Sequence, residues 1–300
     1  MRTGVEAPVT GKERGDGGGR PVPPCERRGR RRVRGQVNRV VAVGSLVLLL
    51  PSIVLGEHLR RGSGRRVARR GLAVVARLCG ITFERSVRPE PTAPGPTVYV
   101  ANHSSPMDIP ALLATVPGVR FIAAEELFRI PLLASAMRAL GTVPVDRRDP
   151  GHGRRQLRTL AGELALGDGA DIAVFPEGGI APVGRRLPFK SGAFSLAIET
   201  GSTVVPVAIH GTDRILPPGG RLMVQPGTVS IDFLDPIPTA GLTGADRQGL
   251  QDHVEGLVTA ATENLAGSGR GTGLDGPGHG PFLAEFLNAP DSPRPIGVDQ

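Results

Sequence analysis

From residue 97 onward, short apolar runs alternate with stretches in which apolar side chains recur every three or four positions. The runs at 97–101, 119–123, 142–145, 171–175, 203–210, 221–225 and 229–234 predict strands, and the periodic stretches at 106–115, 130–140, 153–166, 192–200 and 245–265 predict helices. Alternation of this kind predicts an α/β fold, a mostly parallel sheet flanked by helices. Such sheets place their sites beyond the carboxyl ends of the strands.

Upstream the pattern changes. Residues 40–55 carry no charged side chain but contain Pro51; a bilayer span needs about 20 apolar residues, and an interior proline removes a helical hydrogen bond. The stretch therefore predicts a re-entrant or interfacial segment. A signal peptide shares the basic-then-apolar order, but no A-x-A-like site follows and more arginines do. In 65–80, Val67, Ala68, Leu72, Val74, Val75, Leu78 and Cys79 fall within an arc of roughly 160° at helical spacing. Arg65, Arg66, Arg69, Arg70 and Arg77 fall opposite, the pattern of a helix lying in a membrane interface. A surface helix packed on its own domain gives the same stripe.

Charge sharpens this division. Residues 1–88 hold 20 of the 36 Lys and Arg and 6 of the 28 Asp and Glu, a balance of +14 that leaves −6 for the rest. The basic block points to a polyanion, either lipid headgroups or nucleic acid. With no Trp, one Tyr and nine Phe, the chain lacks stacking platforms for single-stranded nucleic acid, so lipid is the expected partner. Cys25 and Cys79 form neither a disulfide framework nor a metal-ligand spacing. The expected organisation is a disordered tail at 1–36, membrane-associated helical segments at 37–88, one catalytic domain at 89–266 and a flexible tail at 267–300.

Chemistry concentrates at three strand ends. After the first strand comes Asn102-His103-Ser104-Ser105-Pro106-Met107-Asp108. With Ser105 as N-cap and Pro106 at the first helical position, His103 precedes the helix and Asp108 reaches back to it. A carboxylate on one imidazole nitrogen leaves the other free to take a proton. Helix capping alone explains Ser105 and Asp108, though not His103. The fourth strand closes with Phe175-Pro176-Glu177-Gly178-Gly179, where glycines admit close approach of a ligand; a tight turn with an exposed Glu has the same sequence. Val145-Asp146-Arg147-Arg148 ends the third strand with two cations suited to phosphate, or to an ordinary basic strand exit.

Taken in order, these segments resemble the four sequence blocks of the lysophosphatidic acid acyltransferase family. Asn102 to Asp108 is similar to the first block and Gly141 to Arg147 to the second. Phe175 to Gly178, followed by 187–194, is similar to the third, and Val204 to Ala208 to the fourth. The resemblance implies a glycerol-3-phosphate acyltransferase-like fold in which His103 is general base and Asp108 orients it. It further implies that Arg147, Glu177, Gly178, Gly179 and Lys190 hold the acceptor, with Asn102, Pro176 and Pro206 as supporting positions. The donor would be acyl-CoA or acyl carrier protein, with no other cofactor and no metal. The partners would be lipid substrates and an anionic membrane surface, at the cytoplasmic face of the plasma membrane.

Two positions depart from the family pattern. Gly179-Ile180 stands where Thr-Arg is usual, and Ala124 stands where a lysine commonly precedes the Glu-Leu pair, here Glu126-Leu127. Both missing residues are cations associated with the acceptor phosphate, so a different lysolipid or glycolipid acceptor is an alternative expectation. Arg147, Arg148, Arg185 or Lys190 would otherwise compensate. A catalytically silent membrane-binding homologue and a nucleic-acid arm at the N-terminus are the other readings. No Gly-x-Ser-x-Gly elbow supports a serine hydrolase.

Overall fold

The computed structural model describes residues 24–86, 95–165, 171–182, 185–219 and 223–267. In chain order the elements are α1 (Pro24–Leu59), α2 (Ser63–Cys79), β1 (Ile81–Arg85), β2 (Thr97–Ala101), α3 (Asp108–Thr115), β3 (Arg120–Ala124), a 3-10 turn (Glu125–Arg129), α4 (Pro131–Ala139), β4 (Val143–Val145), α5 (Pro150–Ala165), β5 (Ile172–Val174), α6 (Gly192–Thr200), β6 (Thr203–His210), α7 (Thr212–Ile215), β7 (Gly227–Phe233), β8 (Ile237–Pro238) and α8 (Arg247–Gly267). The strands form one sheet in the order β1-β7-β6-β2-β5-β3-β4, with β8 against β6. Only β7 and β8 run antiparallel to β6; the other described pairings are parallel. The expected mostly parallel α/β sheet is therefore present.

The central strand β2 is buried at all five positions, because helices cover both faces. Its side chains alternate between two cores. Tyr99 and Ala101 join Leu112, Phe121 and Phe175 on one face, while Val98 and Val100 join Leu160, Leu164, Phe194 and Val254 on the other. Pro206 lies inside β6, where a missing N–H would ordinarily break a ladder. Its carbonyl accepts the Leu234 N–H at 2.9 Å, so its ring nitrogen faces the same side. There it falls between the β8 pairing at Thr203–Val204 and the β7 pairing at Val207–His210, where no partner requires a donor.

Several sequence expectations give way here. Residues 24–36, expected to be disordered, form the first turns of α1. Extending an existing helix costs far less than nucleating one, and arginine is a good helix former. Residues 1–23 and 268–300, expected to be flexible, lie outside the described residues. Pro51 does not interrupt α1, which continues through it to Leu59. The strand β1 lies within the stretch expected to be helical, and it forms the sheet edge beside β7 in parallel register from Ile81↔Gly227 to Arg85↔Ile231. The strand expected at 221–225 is absent from its described residues, 223–225; the Gln225 N–H instead bonds the Ile215 carbonyl at 2.8 Å.

The apolar arc of α2 is divided between core and surface. Its buried residues are Gly64, Ala68, Arg69, Ala73, Ala76 and Cys79, whereas Val74 and Leu78 are 56% and 62% exposed. Helix α1 packs closely on it: a Cβ on Gly71 would collide with Leu49 of α1. Of the apolar arc, Ala68 and Cys79 are buried and Val67, Leu72 and Val75 pack against the core, while Val74 and Leu78 face outward. On α1, Val40, Val47 and Leu48 are likewise exposed, at 73%, 61% and 72%. Among the described residues, Arg34–Leu59 is the one helix long and apolar enough to cross a membrane.

Candidate active site

Parallel strands β2, β5, β3 and β4 end on the same side of the sheet, which brings the loops after them together. His103 follows β2 by two residues and does not sit on a helix. Asn102 fixes its entry: Nδ2 donates to the Ile209 carbonyl at 2.9 Å, and Oδ1 accepts the Ile209 N–H at 2.8 Å. A side-chain amide thus completes the ladder between β2 and β6 where β2 turns away.

The imidazole Nδ1 lies 2.9 Å from Asp108 Oδ2. The same oxygen accepts the Ser104 N–H at 2.7 Å and the Ser105 N–H at 2.8 Å. Helix α3 begins at Asp108, not at Pro106, so Ser105 is not its N-cap. Instead, Ser105 Oγ accepts the Met107 N–H at 3.0 Å and donates to the Leu216 carbonyl at 2.7 Å. Asp108 is fully buried and stands at a helix N-terminus, where the aligned peptide dipoles favour negative charge. A carboxylate so held takes the Nδ1 proton as a hydrogen bond and leaves Nε2 with its lone pair. The ring keeps 11% of its side-chain surface exposed. Its face stacks on Phe175, with centroids 4.2 Å apart at 19°.

Glu177 follows β5 and is only 5% exposed. Its Oε1 accepts the His103 N–H at 2.8 Å, while the Ala181 N–H donates to the His103 carbonyl at 3.2 Å. Burial pushes the Glu177 carboxyl above its ordinary range; the His103 and Leu187 N–H groups act in the opposite direction. Gly178 takes φ +73, and a Cβ there would sit 2.5 Å from Lys190 Nζ, so this turn requires glycine. Gly179 has open space around it. The Lys190 side chain is exposed, and its backbone N–H donates to the Pro176 carbonyl at 2.9 Å. Arg147 Nη1 donates to the Gly178 carbonyl at 2.7 Å, joining the loop after β4 to the loop after β5. Arg148 instead pairs with Glu126 at 2.7 Å.

The structure thus gathers Asn102, His103, Asp108, Pro176, Glu177, Gly178, Arg147 and Lys190 into one cluster of contacts. Pro206 supports it from within the sheet, where it pairs with Val100. Sequence reasoning missed the role of Phe175 as the platform under the imidazole; an aromatic residue directly before Pro-Glu at a strand end was the available signal. It also missed that Glu177 turns inward, since a Pro-Glu-Gly turn ordinarily leaves its carboxylate in water. For metals, Glu125, Asp146 and His152 offer one ligand atom each within 4.8 Å of one another. Asp146 is also engaged locally, its Oδ1 accepting the Arg148 and Asp149 N–H groups at 2.8 and 3.2 Å.

Known proteins share the sequence and the fold of this chain. The acyltransferase family profile matches residues 84–210. The chain is 33% identical over 205 residues to the chloroplastic 1-acyl-sn-glycerol-3-phosphate acyltransferase BAT2 of Brassica napus, covering 66% of this chain and 59% of that protein. It is 31% identical over 188 residues to the human 1-acyl-sn-glycerol-3-phosphate acyltransferase alpha, covering 62% of this chain and 66% of the relative. Against other curated relatives it spans about half of their length, as with the 52% covered in the Chlamydomonas reinhardtii enzyme. The crystal structure of the 1-acyl-sn-glycerophosphate acyltransferase PlsC from Thermotoga maritima superposes with a TM-score of 0.64 at 27% identity, covering 79% of this chain and 98% of that one. The ordered blocks, the shared sheet and these relatives together establish that the chain belongs to the 1-acyl-sn-glycerol-3-phosphate acyltransferase family.

Proposed function

We propose that this protein transfers a fatty acyl group from acyl-CoA or acyl carrier protein to the hydroxyl of a lysolipid, most simply 1-acyl-glycerol-3-phosphate. The observation that carries the reading is the His103–Asp108 pair, 2.9 Å apart beyond the end of β2 with Nε2 left to act. In this reading His103 Nε2 takes the acceptor hydroxyl proton as the oxygen attacks the thioester carbonyl. Asp108 stabilises the imidazolium that forms. The tetrahedral intermediate collapses by breaking the C–S bond, and the imidazolium returns its proton to the departing sulfur. Ester and free thiol result, with no acyl-enzyme and no metal. Arg147, Lys190 and the Gly178–Gly179 backbone would face the acceptor headgroup.

Purified protein offered one acyl thioester and a mixture of lysolipids should convert lysophosphatidic acid to phosphatidic acid, identified by mass spectrometry. Absence of any acylated product with active donor would refute the reaction. A second reading, a broadened acceptor range, is favoured by Ala124 and Ile180 where cations are usual and by Arg148 being paired with Glu126. Fewer charge-assisted contacts weaken phosphate selection. Neutral and zwitterionic lysolipids should then be acylated within about 10- to 150-fold of lysophosphatidic acid, since one such contact contributes roughly 1.5–3 kcal/mol. Exclusive formation of phosphatidic acid would remove the second reading.

The exposed aliphatic faces of α1 and α2 support association with a membrane through these helices, which we place at the cytoplasmic face. An apolar side chain buried in lipid contributes roughly 1.5–3 kcal/mol. Changing Val47 and Leu48, both more than half exposed, together to Asp should move a large share of the protein from the membrane pellet to the soluble fraction without lowering its thermal midpoint. Unchanged pelleting would argue against this face. The basic first turns of α1 would add attraction to anionic headgroups.

A further inference from the structure

Beside the acyl-transfer reading, on which this inference rests, we infer that Glu177 is a positioning residue: it sets the place of the His103 imidazole through the His103 peptide and does not itself touch the acceptor. Three segments hold His103 in place. Its C=O and N–H are both engaged by the loop after β5, through the Ala181 N–H at 3.2 Å and Glu177 Oε1 at 2.8 Å. The same segment supplies Phe175 beneath the ring at 4.2 Å. Residues 175–181 therefore contact His103 at its ring face, its donor and its acceptor. Asp108 takes the remaining edge through Nδ1, and Asn102 anchors the preceding residue to β6.

Access points the same way. Glu177 is 5% exposed; Oε1 is occupied by the His103 amide, and Oε2 is buried with no hydrogen bond of its own among the described residues, although the Leu187 N–H lies close enough to favour the anion. An acceptor hydroxyl could reach neither oxygen unless the loop opened. The following turn resists opening, because Arg147 holds the Gly178 carbonyl at 2.7 Å and the Lys190 N–H holds the Pro176 carbonyl at 2.9 Å. Since β2 and β5 are hydrogen-bonded neighbours, with Val100 beside Val174, the two loops leave the sheet side by side and a glutamate is long enough to join them.

What the peptide of His103 needs from position 177 is an acceptor oxygen at one place, not a charge. Burial raises the Glu177 carboxyl pKa, so a neutral side chain of the same length is a close substitute there. Glutamine supplies that oxygen; aspartate keeps the charge but is one methylene too short.

The test uses full-length protein in mixed micelles, with palmitoyl-CoA and 1-oleoyl-glycerol-3-phosphate. Glu177→Ala is expected to lower kcat about 10²-fold while the acceptor KM stays within about threefold, because a displacement near 1 Å of a catalytic group costs that order. Glu177→Gln should recover to within about tenfold of wild type, and Glu177→Asp should remain as low as the alanine variant. A rise in acceptor KM with kcat preserved would overturn the proposal, as would Glu177→Asp outperforming Glu177→Gln. If Glu177→Ala does not fold, the Gln and Asp variants still decide the question.

An activity-free readout accompanies these rates. The His103 imidazole resonances, assigned by their loss in His103→Ala, should move in Glu177→Asp and return towards wild type in Glu177→Gln. Resonances unchanged in Glu177→Asp would refute the positioning role. Wild-type protein without turnover would instead refute the acyl-transfer reading, leaving the resonances to judge Glu177.

Discussion

His103→Ala is expected to lower the rate of acyl transfer about 10²- to 10⁴-fold, the range that a general base contributes, while leaving the fold intact. Among the described residues the ring makes one hydrogen bond, to Asp108, and one stacking contact, with Phe175. The backbone bonds of residue 103 to Glu177 and Ala181 do not depend on the side chain. Thiol release from acyl-CoA in the presence of acceptor measures the rate, and the thermal midpoint checks the fold. Turnover near the wild-type level in a folded His103→Ala protein would remove the imidazole from the mechanism.

Asp108→Asn has the second large expected effect, again of the order of 10²- to 10⁴-fold in kcat, for a different reason. The Oδ2 atom of Asp108 collects three donors: the imidazole and the amides of Ser104 and Ser105. A carboxamide can still accept from the two amides, so the loop should keep its course. It cannot supply the negative charge that stabilises the imidazolium, and with its oxygen kept at the Oδ2 place its NH₂ group falls at the buried Oδ1 place, which has no hydrogen-bond partner among the described residues. Asp108→Ala should additionally destabilise the protein, because the donors left unsatisfied in a buried site cost about 1–3 kcal/mol each. Comparing the two variants by rate and by thermal midpoint separates the electrostatic role from the structural one. Equal rates in Asp108→Asn and wild type would show that the carboxylate serves the loop alone.

The imidazole–carboxylate pair was legible because its signal is local. A histidine after an apolar strand, a proline-containing turn and an aspartate at a helix start are neighbours in sequence, so the distance between them depends on few dihedral angles. The strands carried by β-branched runs were equally clear: the expected 97–101 and 203–210 match β2 and β6. The edge strand β1 was not. Ile81–Arg85 is short and carries Glu84 and Arg85, and it becomes a strand because β7 lies alongside it. The division of the α2 apolar arc between core and surface was not legible for a related reason. Helical periodicity places residues on a circle, yet which arc turns inward depends on the neighbour, and α1 packs closely enough that glycine and alanine face it.

By itself the sequence determined the alternation that builds a parallel sheet, the order of the four blocks along it and the imidazole–carboxylate pair, because these depend on side-chain periodicity and on residues close together in the chain. The tertiary structure decided that Glu177 points inward to the His103 amide, that Arg147 holds the Gly178 carbonyl and that Arg69 is buried while Leu78 is exposed. Each of these joins segments that the chain holds apart or chooses between two faces of one element. Hydrogen-bond geometry and packing can make that choice only after the strands are side by side.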